Sequence, residues 1–142
     1  MYDTVLVPTD GSDAAADGVA HALDLAAEHD ATVHVLSVVT TGEGATAVGN
    51  PGAFAAAVQT TSERTTETVA EEARERGLDV ERTVETGTPS RIIVDYARTH
   101  DIDVVVMGTH GRTGLAHVLT GSVTERVIRS SDAPVLAVRA RA

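Results

Sequence analysis

Apolar runs of two different periods alternate along the whole chain, and this alternation is the feature that most constrains its fold. Short Val-rich segments suit β-strands, and each is followed by a longer stretch whose apolar residues recur at helical spacing. Such strict alternation predicts an α/β protein, an open parallel sheet with helices on both faces. Right-handed crossovers between successive strands are expected.

Five strands and four helices are predicted from these runs. The predicted strands are Tyr2–Pro8, Thr32–Val39, Asp79–Thr86, Asp103–Met107 and Pro134–Arg139. The predicted helices are Ser12–Asp30, about Phe54–Arg76, a third beginning at Thr88-Pro89, and Ser122 to about Ser130. Four glycines, a proline and an asparagine within Thr40–Gly52 indicate a mobile loop. The chain shows no internal repeat, so a single domain over residues 1–142 is expected.

Residues at the predicted helix ends support these boundaries. Ser12 is suited to an N-cap, and Thr88-Pro89 to an N-cap followed by a proline in the first turn. Gly77 is expected at the C′ position after the second helix. Ser122 and Glu125 have the S-x-x-E spacing of a capping box at the start of the last helix.

The residue composition excludes several classes of protein. Cysteine is absent, which excludes disulfides and thiolate zinc sites. No apolar run approaches the roughly 20 residues that a membrane span needs. Met1 leads directly into a strand rather than into a signal peptide. A cytoplasmic protein without membrane insertion is therefore expected.

The chain is strongly acidic. Its formal net charge is −10, and all 11 basic residues are arginine. Because phosphate contacts need clustered cations, this balance argues against nonspecific binding to nucleic acid or anionic membranes. The composition resembles that of cytoplasmic proteins from halophilic organisms, in which strong salt screens the repulsion among carboxylates. A genome of high GC content, which favours Arg and Ala codons, is the alternative explanation.

Two segments that follow predicted strands have the chemistry of ligand-binding loops. The first is Pro8–Ser12, and the second is Gly108–Gly114, which leads to Gly121-Ser122 at a predicted helix start. Glycines allow close approach of the backbone to a ligand, and main-chain N–H groups in such loops can hold phosphate oxygens. A helix N-terminus adds partial positive charge and further N–H donors. Ligands of open parallel sheets bind at the carboxyl ends of the strands, where the strand order reverses.

The glycine spacing of the second segment identifies a family resemblance. Neither G-x-x-x-x-G-K-[ST] nor G-x-G-x-x-G after the first strand is present. The chain instead has G-x2-G-x9-G-S, from Gly108 through Gly111 to Gly121-Ser122, preceded by VVVM and followed by VTERVI. This pattern resembles the nucleotide-binding signature of the universal stress protein A (UspA) family, in its ATP-binding branch. Three further parts of the chain also resemble the family: VLVPTDGS, GTPSRIIVDYA and the C-terminal third. The similarity therefore covers nearly the whole chain.

The resemblance implies a fold, an assembly and a ligand. The implied fold is a Rossmann-like five-stranded parallel sheet of order 3-2-1-4-5, similar to the adenine nucleotide alpha hydrolases, with the two candidate loops in one cleft. The implied assembly is a homodimer through the last strand, Pro134–Arg139. The implied ligand is ATP, ADP or AMP, with Mg²⁺ as an accompanying ion.

The resemblance also implies which residues bind the nucleotide. Pro8, Thr9 and Asp10 would line the adenosine side, with Asp10 near the ribose or the metal, and Val38 would pack on adenine. The segment Gly108–Gly114 would wrap the ribose and phosphates, and the start of the last helix would bind phosphate. The full predicted set is Pro8, Thr9, Asp10, Val38, Met107, Gly108, Thr109, His110, Gly111, Arg112, Thr113, Gly114, Gly121, Ser122, Val123 and Thr124.

Simpler roles compete with ligand binding at several of these positions. Asp10 is also suited to closing a turn or capping the first helix. His110 has no evident partner that would orient it as a general base, so a loop-structural or ligand-contact role is favoured. The remaining histidines are interpreted as surface or packing residues, and no catalytic residue is assigned.

Three functions follow from the sequence. The first is an ATP-binding regulatory module of the stress response. The second is a slow Mg²⁺-dependent ATPase. The third is an interaction module that regulates a partner such as a transporter, for which Thr40–Gly52 is the candidate contact surface.

Overall fold

The computed structural model describes residues 2–40, 51–109 and 121–139. Strands and helices alternate through this part of the chain as the apolar periodicity predicts. The strands are β1 (Thr4–Pro8), β2 (Thr32–Thr40), β3 (Val80–Gly87), β4 (Val104–Gly108) and β5 (Val135–Val138). The helices are α1 (Asp13–His29), α2 (Pro51–Glu75), α3 (Pro89–Thr99) and α4 (Gly121–Ser130). None of the helices in these ranges is long and apolar enough to span a membrane.

The five strands form one sheet of order β3-β2-β1-β4-β5, and all neighbouring strands are parallel. The predicted fold class and strand order are therefore confirmed. The chain builds outward from β1 to β3, then returns to the other side of β1 with β4. The strand order consequently reverses between β1 and β4, where crevices form in such sheets.

Alternate side chains of the central strands enter two separate cores. One core lies under α1 and α2 and contains Val5, Val7, Val33, Val35, Val104 and Val106. The other lies under α3 and α4 and contains Leu6, Leu36, Val105, Met107, Ile93 and Val127. Because β1 and β4 are covered on both faces, they are continuous apolar runs rather than alternating ones.

Most of the predicted helix ends are confirmed. Ser12 is the N-cap of α1, and its Oγ accepts a hydrogen bond from Ala15 N at 3.2 Å. Gly77 follows α2 with φ of +77°, and Leu78 N returns to Ala73 O at 3.0 Å, as in a Schellman-type ending.

The N-cap position predicted for Thr88 is confirmed, although without a side-chain hydrogen bond, and the cap predicted at Ser122 is corrected. Thr88 occupies the N-cap position of α3 and precedes Pro89 in the first turn, but its side chain makes no capping hydrogen bond. The last helix begins at Gly121, so Ser122 lies in its first turn and is not the N-cap that a capping box with Glu125 requires.

The predicted loop Thr40–Gly52 is shorter than expected. Thr40 belongs to β2, and α2 begins at Pro51 rather than near Phe54. Proline is tolerated in the first helical turn, where its missing N–H has no partner to lose. Residues 41–50, which were predicted to be mobile, lie outside the described residues.

Candidate nucleotide site at the carboxyl ends of β1 and β4

The two candidate loops leave the sheet from neighbouring strands. In the register of β1 and β4, Val5 lies beside Val104 and Leu6 beside Val105. The loop after Pro8 and the segment after Gly108 therefore begin at the same edge of the sheet. This places the described parts of the two loops at the reversal of the strand order.

The loop after β1 is held in a defined turn by its own polar groups. Thr9 is buried, and its N–H donates to Leu36 O at 2.8 Å. Thr9 Oγ1 accepts from Gly11 N at 3.2 Å, and Asp10 Oδ1 accepts from Ser12 N at 2.9 Å. Gly11 has φ of +81°, which glycine adopts without strain. Asp10 thus closes the turn that leads into α1, the simpler of the two roles considered for it.

Gly108 lies where α1 crosses the end of β4. A Cβ at position 108 would overlap the carbonyl oxygen of Ala14, and a Cβ at Gly18 would lie 2.7 Å from Gly108 N. Gly108 is therefore required by the packing of α1, independently of any ligand. The sequence-based interpretation assigned this glycine only to ligand approach and missed Gly18. A glycine in the middle of a predicted helix was the available signal, since glycine is otherwise unfavourable there.

A buried hydroxyl of helix α4 forms a hydrogen bond to Gly108. Thr124 is 2% exposed, and its Oγ1 donates to Gly108 O at 3.3 Å. On the other side, Thr109 N donates to Val138 O at 2.9 Å and extends the contact between β4 and β5. The first turns of α1 and α4 therefore meet at Gly108. Their N-termini give this edge of the sheet a favourable environment for an anion.

The remaining predicted contacts differ in what they offer a ligand. Met107 is fully buried, so only its main chain can reach a bound molecule. Val38 is 8% exposed and lies on the same face of the sheet as Met107. Ser122 is exposed in the first turn of α4, and Val123 is half-buried. The predicted residues His110, Gly111, Arg112, Thr113 and Gly114 lie outside the described residues.

The described residues offer limited metal ligands. No group of three or more His, Asp or Glu side chains within the described ranges is arranged to hold a metal ion. Asp10 is the one carboxylate among the predicted site residues, and one of its oxygens accepts from Ser12 N. A single carboxylate fits Mg²⁺ that is held mainly by phosphate oxygens and water.

A second polar cluster lies on β2, in the core under α3. His34 is 5% exposed, and its Nδ1 lies 2.8 Å from the hydroxyl of Tyr96. The ring of Tyr96 stacks on His100 with centroids 3.8 Å apart. Burial lowers the pKa of His34 below its usual value and raises the pKa of Tyr96. This cluster confirms a packing role for His34, since its ring is satisfied within the core.

The fold and the edge where β1 and β4 end define a class, the Rossmann-like α/β proteins built on a parallel sheet of order 3-2-1-4-5. Within that class, the model of the universal stress protein family matches residues 1–139. The chain belongs to the universal stress protein family.

Individual relatives agree with this assignment. Universal stress protein MJ0531 of Methanocaldococcus jannaschii is 35% identical over 141 residues, which cover 98% of this chain and 83% of the relative. The solved structure of MJ0577 from the same organism superposes with a TM-score of 0.84 at 28% identity, covering 100% of this chain and 99% of that one. A universal stress protein solved in complex with cAMP gives a TM-score of 0.74 at 26% identity, with 99% of each chain covered.

Proposed function

We propose that this chain is an ATP-binding universal stress protein, a cytoplasmic regulatory module whose state depends on the bound nucleotide. One observation carries the proposal: the first turns of α1 and α4 meet at Gly108, the first glycine of the G-x2-G-x9-G-S signature. Two helix N-termini that meet at Gly108 favour a polyphosphate despite the acidic surface. The relative that binds cAMP supports an adenine nucleotide as the ligand class.

The proposed roles of the residues are those that the family resemblance implies. Main-chain N–H groups of the Gly108–Gly114 segment and of the first turn of α4 bind the phosphates, with the Ser122 hydroxyl as a further donor. Pro8, Thr9 and Asp10 border the adenosine, and Val38 packs against the base. Thr124 holds α4 on Gly108 through its hydroxyl and contributes to the site by positioning that helix.

Magnesium is proposed as a companion of the nucleotide rather than as a resident ion. Asp10 is the carboxylate that borders the site, and the phosphates would supply the other charged ligands. Calorimetric titration with ATP in the presence and absence of Mg²⁺ tests this role. Equal affinity under the two conditions would remove it.

The proposed nucleotide site is tested by changing charge at the start of α4. In Ser122→Asp, a carboxylate replaces the hydroxyl of an exposed residue in the first turn of α4. The helix dipole stabilises a negative charge at this position, but the charge repels phosphate. We expect unchanged or higher thermal stability and an ATP affinity at least about tenfold weaker in calorimetric titration. The matched control is Ser130→Asp, which adds the same charge at the exposed far end of α4.

Two outcomes would contradict the proposal. One is that the unmodified protein binds no nucleotide in titration and releases none on denaturation, as measured by mass spectrometry. The other is that the variants at positions 122 and 130 lose affinity equally, because that result would reflect net charge rather than a local site.

A further inference from the structure

A groove separates α1 from α2 on the face of the sheet opposite α3 and α4. Its volume is about 390 Å³, within the range of small-molecule sites. The buried side chains of Val19 and Val69 form its base. On the α1 side it is lined by Ala16 and Ala20, which are exposed and whose short side chains leave the groove open. The turn after β1 also lines the groove, through Thr9, Gly11 and Ser12. The groove therefore adjoins the proposed nucleotide site at Thr9 and extends away from it between α1 and α2.

The turn after β1 closes one end of the groove. There Gly11 packs against α2, and a Cβ at Gly11 would lie 3.2 Å from Thr65 Oγ1. Farther along the two helices, outside the lining of the groove, Arg76 on α2 forms an ion pair with Asp24 on α1 at 2.7 Å. These two contacts hold α1 and α2 to each other on either side of the groove.

The polar side chains that α2 contributes to the groove are acceptors. Thr65 and Thr68 donate their hydroxyl protons to the carbonyls of Thr61 and Arg64, both at 3.0 Å, and so present oxygen lone pairs to a ligand. Glu72 adds a carboxylate, and no ion pair between described residues uses it. Among the described residues, no Arg or His lines the groove.

We propose that this groove is a second ligand site, which binds a small organic cation: a primary ammonium group attached to an apolar body. The ammonium group donates its three N–H bonds to Glu72 and to the threonine hydroxyls, while the apolar body covers Val19 and Val69. The net charge of −10 increases the local concentration of such a cation. An anion of the same shape meets repulsion and finds no cationic partner.

The test uses phenethylammonium chloride as the probe and nucleotide-free protein. We expect saturable shifts of the amide signals of Ala16, Ala20, Thr65 and Val69 in ¹H–¹⁵N correlation spectra, with a Kd of roughly 1 mM for so small a ligand. Phenylacetate, its anionic counterpart, should produce no saturable shifts at these residues. Because nucleotide is absent, a failure here leaves the proposed nucleotide site unaffected.

Three variants separate a built site from general attraction to an acidic surface. Glu72→Gln should weaken phenethylammonium binding about fivefold, which is the upper range for a partly solvated ion pair. Ala20→Leu fills the groove from an exposed position and should abolish binding without loss of folding. Glu71→Gln, the matched control, removes an equal charge from the exposed neighbour of Glu72 and should leave affinity unchanged.

The proposal is overturned if shifts at these amides fail to saturate, or if phenylacetate binds as well as phenethylammonium. It is also overturned if the variants at positions 71 and 72 weaken binding equally. Thermal melts followed by circular dichroism establish that each variant is folded before it is titrated.

Discussion

Gly108 and Gly18 allow α1 to lie closer to β4 than any side chain would permit. A Cβ on either residue meets main-chain atoms of the opposing segment, which cannot rotate away as a flexible side chain can. The resulting contact fixes the first turn of α1 beside the end of β4. The geometry of the candidate site thus depends on two residues with no side chains.

Gly108→Ala should therefore be strongly destabilising. We expect a loss of about 3 kcal/mol in the free energy of unfolding, measured by urea titration, because the helix or the strand must move to admit the methyl group. Gly77→Ala is the control: its Cβ meets open space, and only the φ of +77° opposes it, at about 1 kcal/mol. A loss at Gly108 no larger than that at Gly77 would contradict the packing role of Gly108.

His34 is the other residue whose properties come from its surroundings. Its ring is nearly buried beneath helix α3, with Tyr96 facing it from α3 and His100 from the C-cap of that helix. Glu81 lies beside it on β3. Burial lowers its pKa, and His100 lowers it further, while Glu81 opposes both. The folded protein therefore resists protonation of His34 more than the unfolded chain does.

This difference predicts how stability depends on pH. The unfolded chain takes up the proton near pH 6.5, the ordinary value for histidine, and the folded protein does so only at a lower pH. The contribution of neutral His34 is fully present above about pH 6.5 and decreases as the pH falls from there toward the folded-state pKa.

Thermal melts between pH 7.5 and about 5 measure this effect. His34→Gln should have a shallower decrease of the melting temperature over this window than the unmodified protein. His21→Gln, at an exposed position on α1, should retain the original slope. The assignment to His34 fails if the two variants have the same pH profile.

At the scale of elements, two helices that have a hydroxyl residue at the N-cap position begin differently. Ser12 caps α1 with its side chain, whereas Thr88 at the start of α3 makes no such bond and relies on the following proline. A residue type suited to capping therefore does not by itself establish a cap.

The difference between these helix starts predicts different effects of alanine. Ser12→Ala should reduce the free energy of unfolding by about 1 kcal/mol, because the N–H of Ala15 loses its partner. Thr88→Ala should change it by a few tenths of that amount. Chemical denaturation of the two variants side by side measures both, and similar losses would contradict the capping geometry.

Strand β5 forms one edge of the sheet and is the predicted dimer contact. It hydrogen-bonds to β4 on one side, and Leu136 is 37% exposed. An apolar edge strand of this kind tends to pair with another chain. We propose that Pro134–Arg139 pairs with its symmetry mate across a two-fold axis in a homodimer.

Leu136→Lys should convert that dimer into a monomer, because a charge would be buried at the centre of the contact. Sedimentation velocity over a range of concentrations measures the change. Thr86→Lys, at an exposed position on β3, the opposite edge strand, is the control and should leave the assembly unchanged. A protein that is monomeric before any substitution would refute the predicted dimer.

At the scale of the whole molecule, the negative charge is distributed over the exposed surface. The ion pairs between described residues use only a few of the 21 acidic side chains. The halophilic character expected from the composition therefore remains a prediction about repulsion among the other carboxylates.

Screening of that repulsion predicts a dependence on salt. The melting temperature should rise as KCl is increased from about 0.1 M, where the Debye length is roughly 10 Å, to above 1 M, where it is roughly 3 Å. Differential scanning calorimetry measures the trend. A melting temperature that stays constant or falls across this series would favour the alternative explanation of the composition by genomic GC content.

The alternation of Val-rich runs with helical apolar spacing predicted all five strands, all four helices and the α/β class. These features follow from local sequence, because the side-chain period of each segment records whether it is buried as a strand or as a helix. The strand order came from the family resemblance carried by the glycine signature. The first and last residues of the helices and strands were less well predicted. Helix α2, for example, begins at Pro51 rather than near Phe54.

Only the tertiary structure decided what individual residues do at the candidate site. In the folded protein, Gly108 packs against the main chain of Ala14, and the hydroxyl of Thr124 donates to the carbonyl of Gly108. The ring of His34 hydrogen-bonds to the hydroxyl of Tyr96. Each of these contacts joins residues from different elements. Local periodicity determines which helices and strands form. The contacts of a residue with other elements are set only when those elements pack, and the sequence pattern within one segment does not specify them.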